Sequence, residues 1–213
     1  MSVPDSIVFA SSNPHKLEEV SRVFAGINVT VVGLDGFQEI PEPVEDGRTF
    51  TANALIKARY YAQATGRVVL ADDSGLCVDA LGGAPGVLSA RYAGVIDQPR
   101  PRKQVDAANN AKLVDQLRAV PEAERTARFM CVMALCDAKT TWAVVRGSVE
   151  GRIVLEPRGD NGFGYDPHFE IAALGRTAAE LPPDEKNAIS HRGVACRHMI
   201  DALRQLQVQR PPV

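Results

Sequence analysis

Residues 68–75 read VVLADDSG, an apolar run from Val68 to Ala71 that passes directly into two adjacent acids, a serine and a glycine. A short apolar run bounded by turn residues fits a strand buried on both faces, as in the sheet of an α/β protein. Asp72 and Asp73 then stand at the end of that strand, where open α/β sheets usually bind ligands. Consecutive side chains on a strand point to opposite sides, so only one of the two acids is expected to meet a given ligand directly.

Strands and helices alternate around this stretch. Ile7 to Ala10 is a short apolar strand that ends at Ser11, Ser12 and Asn13, after which Leu17, Val20, Val23 and Phe24 recur at helical spacing. Val29 to Leu34 reads as a second strand. Phe37 to Arg48 reads as an acidic loop, because Pro41 and Pro43 exclude a regular ladder. Thr49 opens a helix that runs to about Thr65, with Phe50, Ala54, Leu55, Ala58, Tyr61 and Ala62 inward and with Asn53 and Lys57 sharing another face. Leu81 to Gly86 (LGGAPG) reads as turn. Asp106 to Leu117 and Val194 to Leu206 read as helices, Phe129 to Cys136 and Trp142 to Val149 as adjacent strands, and Gly159 to Asp166 as a glycine-rich loop. The expected fold is therefore α/β, a mixed sheet with flanking helices, in one domain over residues 1–213 with no separable linker.

The bulk numbers agree with one globular domain or two intimate lobes. The chain has 213 residues, 45% hydrophobic and 23% charged, enough to bury a substantial core. A formal net charge of -2 gives no global field for gripping a nucleic acid polymer. No stretch approaches the ~20 apolar residues that span a bilayer, and no leader pattern opens the chain, so a cytoplasmic location is expected. Cys77, Cys131, Cys136 and Cys196 form no CxxC pair and the histidines are dispersed, which suggests neither a zinc site nor a disulfide framework.

Several segments carry chemistry. SSNPHK places Ser11, Ser12 and Asn13 at a helix entrance, where free backbone amides attract anions, and adds Lys16 one turn later. The GxxxxGK[ST] pattern is missing, which excludes a Walker-type phosphate loop. Two adjacent acids repel each other unless a hard cation lies near them, and magnesium prefers carboxylate and phosphate oxygens. Among the glutamates Glu39, Glu42 and Glu45 of the acidic loop, which also holds Asp46, Glu45 lies nearest the helix bearing Asn53 and Lys57. Folded over the Asp72–Asp73 pair it would complete a site able to hold magnesium and orient a water, with Lys57 clamping a phosphate. GDNGFGYDPHF sets Phe163 and Tyr165 among three glycines, an arrangement on which a planar ligand can stack. DEKNAISHRG supplies donors from Lys186, Ser190, His191 and Arg192.

Jointly, ASSNPHK, EDGRTFTANALIKA, ADDSGLCVDALGGAPGVLSARYAG, FGYDP and AELPPDEKNAISHRG resemble the non-standard purine nucleoside triphosphate pyrophosphatases, the inosine triphosphatase family, in that family's order from about Ile7 to Leu203. The resemblance implies an elongated protein with two lobes around a central cleft, a homodimer that needs Mg2+, hydrolysing inosine, deoxyinosine and xanthosine triphosphates to monophosphate and pyrophosphate. It implies that Asp73 activates the attacking water, with Glu45 and Asp72 as acidic companions around the metal and Asp73 and Glu45 as its ligands. Lys16 and Lys57 become phosphate contacts joined by Asn13 and Ser74. Phe163 stacks on the purine beside Gly164 and Tyr165, and Asp166, Lys186, His191 and Arg192 line the base pocket. Hypoxanthine and xanthine carry a carbonyl at C6 where adenine has an amino group, so donors from Lys186 or Arg192 favour them. In PEPVEDG the choice between Glu42 and Glu45 stays open, and DQPRPRK, Asp97 to Lys103, lengthens a surface loop. A pyrophosphatase for modified pyrimidine or methylated nucleotides could share the strand acids but not FGYD with KNAISHR. A non-cleaving nucleotide sensor, the rival from another class, would have no need of the carboxylates.

Overall fold

A computed structural model of the chain describes residues 4–94 and 101–208. Most of the expected Asp97–Lys103 loop lies outside the described residues. Its last two residues, Arg102 and Lys103, instead open a helix, Arg102–Leu117, four residues earlier than the sequence pattern suggested. Pro101 just before that helix supplies a start signal that the apolar periodicity does not carry.

Among the described residues seven strands form one mixed sheet: β1 (Ser6–Phe9), β2 (Thr30–Val32), β3 (Val69–Val78), β4 (Thr126–Cys136), β5 (Thr141–Ile153), β6 (Phe169–Ile171) and β7 (Arg176–Thr177), in the order β2-β1-β3-β4-β5-β6-β7. β1 pairs parallel with β2 and β3, whereas β6 pairs antiparallel with β5 and β7. The helices are α1 (Pro14–Phe24), α2 (Phe50–Thr65), α3 (Arg102–Leu117), α4 (Pro183–Ile189) and α5 (His191–Val208). No helix among the described residues is long and apolar enough to cross a membrane.

By its contacts the chain divides into two compact units, the first Met1–Asp73, Cys131–Gly147 and His191–Val213, the second Ser74–Met130 and Ser148–Ser190. In the first unit the alternation of strand side chains builds two cores. Ile7 and Phe9 of β1, Leu70 of β3 and Cys131, Met133 and Leu135 of β4 pack with α1 and α5. Val8 and Ala10, Val69 and Ala71, and Val132, Ala134 and Cys136 pack with α2, whose Ala54, Ala58 and Ala62 are fully buried. These small side chains bring α2 close to the strands. Thr49 caps the helix by accepting from the Ala52 amide at 3.1 Å, and Gly66, at φ 65°, ends it. In the second unit Leu76, Val78, Leu113, Leu117, Phe169 and Leu181 form a separate core.

The strand expected to stop at Ala71 does not. β3 continues through Asp72 and Asp73 to Val78, so the acidic pair lies within a strand and not at its end. The apolar pattern resumes at Leu76 and Val78, both fully buried, and each carboxylate is stabilised inside the strand by groups from other elements. β4 and β5 likewise extend beyond their apolar runs, and α5 begins at His191, three residues before its apolar stripe.

Gly147 of β5 lets α5 approach. A Cβ there would lie 2.5 Å from the Ala195 amide nitrogen and 2.9 Å from the Val194 Cβ. Gly147→Ala should therefore destabilise the protein by about 1–3 kcal/mol, visible in a denaturant titration. Unchanged stability would mean that α5 is not held at this distance.

Candidate active site

β3 presents Asp72 and Asp73 to opposite sides, as strand geometry requires. Asp72 is directed toward the core shared with α1 and α5. Its carboxylate accepts from Lys16 Nζ at 3.1 Å, and the Arg192 guanidinium approaches to 3.4 Å. Arg192, 2% exposed, also donates to Glu19 of α1 at 2.5 Å. Lys16 and Glu19 are neighbours on one face of α1, and Arg192 belongs to the first turn of α5. Thus one buried carboxylate ties the strand to both helices. Burial alone would raise the Asp72 pKa, but Lys16 and Arg192 outweigh it and hold the group below the ordinary carboxylate range. Burial pushes the Lys16 ammonium down despite Asp72.

Asp73 is directed toward α2. It accepts from Asn53 Nδ2 at 3.1 Å, with Lys57 Nζ at 3.8 Å. Asn53 and Lys57 stand one turn apart on α2, the shared face expected from their spacing. Lys57 also donates to Glu45 at 2.9 Å, so of the two loop acids left open it is Glu45 that the fold brings to this group. Burial pushes the Asp73 carboxyl up to about 6, against the opposing pull of Lys57 and the Asn53 hydrogen bond. Burial would lower Lys57, but Asp72, Asp73 and Glu45 together raise it.

The donor set suits a magnesium ion in a limited way. Among the described residues no cluster of three or more acidic, histidine or cysteine side chains is placed for a metal, so the single acidic cluster envisaged around Asp72, Asp73 and Glu45 does not form. Asp72 is occupied by two cations. Asp73 and Glu45, however, share Lys57, and the buried Asn53 Oδ1 has no hydrogen-bond partner among the described residues. Two carboxylates are what magnesium commonly takes from a protein when phosphates complete its shell.

Ser11, Ser12 and Asn13 form the entrance of α1. Asn13 Oδ1 caps the helix by accepting from the His15 amide at 3.1 Å, and the Asn13 amide donates to Ser11 Oγ at 3.2 Å. Ser74 follows Asp73 in β3, half-buried.

The second unit holds the aromatic loop. Asp166 Oδ2 accepts from the Phe163 amide at 2.9 Å and from Lys186 Nζ at 2.6 Å, and Lys186 lies over the Phe163 ring, 5.0 Å from its centroid. Gly162, at φ 77°, fits where any Cβ would strike Asp166. Tyr165 donates to the Ser89 carbonyl at 2.8 Å, and burial raises its phenol. Phe163, Gly164, Tyr165, Asp166 and Lys186 are therefore brought together. His191 and Arg192, grouped with them by the resemblance, belong to the first unit, where His191 is buried and Arg192 engages Asp72 and Glu19.

The sequence reading missed Glu19. A glutamate on an amphipathic helix gives no sign of a partner 173 residues away, although its place three residues after Lys16, on the same helical face, was a usable signal.

The model of the Ham1 family matches residues 7–202, nearly the whole described chain. The chain belongs to the Ham1 family. It is 47% identical over 197 residues to a dITP/XTP pyrophosphatase of Geobacter sulfurreducens, covering 92% of this chain and 96% of that one. A protein of the same description from Burkholderia pseudomallei is 50% identical over 207 residues, covering 94% of each. The solved structure of a HAM1 protein from Coxiella burnetii superposes with a TM-score of 0.81 at 43% identity, over 94% of this chain and 98% of that chain.

The raised Asp73 pKa has a consequence for stability. Between pH 4 and 6 the folded, metal-free protein retains a proton that the unfolded chain has released, so stability falls as pH rises through that window and levels off above it. Asp73→Asn removes this loss. Melting curves in chelator should show the variant gaining on the parent protein from pH 4 to pH 7; a difference independent of pH would contradict the shift.

Proposed function

We propose that this Ham1-family chain hydrolyses non-standard purine nucleoside triphosphates, ITP, dITP and XTP, to the monophosphate and pyrophosphate, removing deaminated purines from the nucleotide pool. The observation that carries the reading is the division of labour on β3, where Asp72 is paired with Lys16 and Arg192 on one side and Asp73 faces Asn53, Lys57 and, through Lys57, Glu45 on the other. The names of the relatives support the substrate class.

Asp73 acts as the base. In the metal-free protein burial holds its carboxyl at about 6, in the range suited to taking a proton from water near neutral pH, and the Asn53 amide fixes its orientation. Water adds to phosphorus as the α–β anhydride bond breaks. Its proton passes to Asp73, and the bond pair leaves with pyrophosphate. Lys16 and Lys57 neutralise the triphosphate and the charge that develops on the leaving group, with Ser11, Ser12, Asn13 and Ser74 as further phosphate contacts. Asp72 acts through Lys16, which it orients. Asp73 and Glu45 would hold magnesium, which supplies a Lewis acid for the phosphate oxygens.

Phe163 stacks on the base, flanked by Gly164 and Tyr165. Lys186, set by Asp166, offers a donor to the C6 carbonyl that inosine and xanthosine have and adenosine lacks. His191 and Arg192 complete the substrate-binding set, Arg192 through its hold on Asp72. The resemblance also supports a homodimer in the cytoplasm.

Pyrophosphate release should be fast from dITP, ITP and XTP and slow from ATP and dTTP in the presence of magnesium, and Asp73→Asn should lower turnover at least about 100-fold while leaving the fold intact. Equal rates on all five substrates would remove the purine assignment, and a fully active Asp73→Asn would remove the base.

A further inference from the structure

The glycine-rich loop that carries Phe163 has little regular structure of its own to hold it. Gly159, Gly162 and Gly164 all have positive φ, and the stretch belongs to no strand. Yet both backbone groups of Gly164 are bonded from one side. Asp106 Oδ2 accepts from the Gly164 amide at 3.1 Å, and Asn110 Nδ2 donates to the Gly164 carbonyl at 2.9 Å. Asp106 and Asn110 lie one turn apart on α3, so their side chains project in parallel and fit the two ends of a single peptide residue.

The helix behind them is itself fixed. Leu113 and Leu117 are fully buried, Asn109 accepts from the Ala93 amide at 2.7 Å, and Lys112 donates to the Tyr92 carbonyl at 2.7 Å. Arg102 holds the other oxygen of Asp106 at 3.1 Å, which leaves Oδ2 for Gly164. The loop residues on either side are also restrained, Phe163 through Asp166 and Tyr165 through the Ser89 carbonyl.

From this geometry we infer that Asp106 and Asn110 are positioning residues for purine binding, a two-point clamp on Gly164 that holds the Phe163 ring ready for the base. The inference rests on the reading that Phe163 stacks on the purine. Neither residue touches the reacting atoms. Releasing the clamp lets the loop sample other conformations, and the base must then order it on binding, which weakens affinity without slowing the chemical step.

Steady-state kinetics on dITP with the full chain test this. The double variant Asp106→Ala, Asn110→Ala should raise KM about tenfold with kcat within about twofold, as two lost hydrogen bonds would suggest. Two isosteric single variants separate the clamp from simple destabilisation. Asp106→Asn keeps an acceptor for the Gly164 amide and should stay near the parent KM although it loses the Arg102 ion pair. Asn110→Asp sets an acceptor against the Gly164 carbonyl and should raise KM. In a Phe163→Ala background, which itself raises KM, the clamp variants should add little. A parent-like KM in the double variant and in Asn110→Asp, or an equal loss in kcat, would overturn the clamp. If Phe163→Ala alone leaves KM unchanged, it is the stacking reading that fails.

Discussion

A carboxylate buried in the middle of a strand is tolerable only when its charge is matched, and Asp72, 1% exposed, is matched by Lys16 and Arg192. Removing one partner from such a group typically costs about 3–5 kcal/mol, because the remaining charge stays buried. The same three residues join β3 to α1 and α5, and Glu19 balances the second cation. Lys16 of α1, Arg192 of α5 and the acidic pair of β3 are thus joined by one electrostatic requirement.

The pleat converts that requirement into chemistry. Asp73, one residue on, faces the α2 side of the sheet, where an amide and a single shared lysine stand in place of two dedicated cations. Desolvation therefore prevails for Asp73 and Coulombic attraction for Asp72. Two identical side chains acquire different protonation behaviour because adjacent strand positions see different helices. A related division applies to the second unit, where Lys186 is oriented by Asp166 and the aromatic loop by side chains of α3.

Local signals carried much of this into the sequence. Thr49 before an alternation of small and apolar residues, and Gly66 after it, mark α2 almost to the residue. Asn53 and Lys57 share a face by spacing alone. The end of β3 was not legible, because an apolar run that breaks at two aspartates looks like a strand stopping; Lys16, 56 residues earlier, and Arg192, 120 residues later, stabilise Asp72 there, and Asn53, 20 residues earlier, stabilises Asp73. Arg192 stands close to Lys186 in sequence, yet the break at Ser190 between α4 and α5 sends the two into different units. Short strands such as β6 and β7 lack enough residues to show a period.

β3 thus holds one aspartate ionised and, in the metal-free protein, its neighbour poised near neutrality. Carbon-13 NMR of the aspartate carboxyls in the metal-free protein, assigned with Asp72→Asn and Asp73→Asn and titrated from pH 3 to 8, addresses it directly. Asp73 should titrate with a midpoint of about 6 and Asp72 should not titrate in that range. An Asp73 midpoint near the ordinary 3.8, or an Asp72 resonance that titrates alongside it, would mean that the two faces of β3 do not separate the acids.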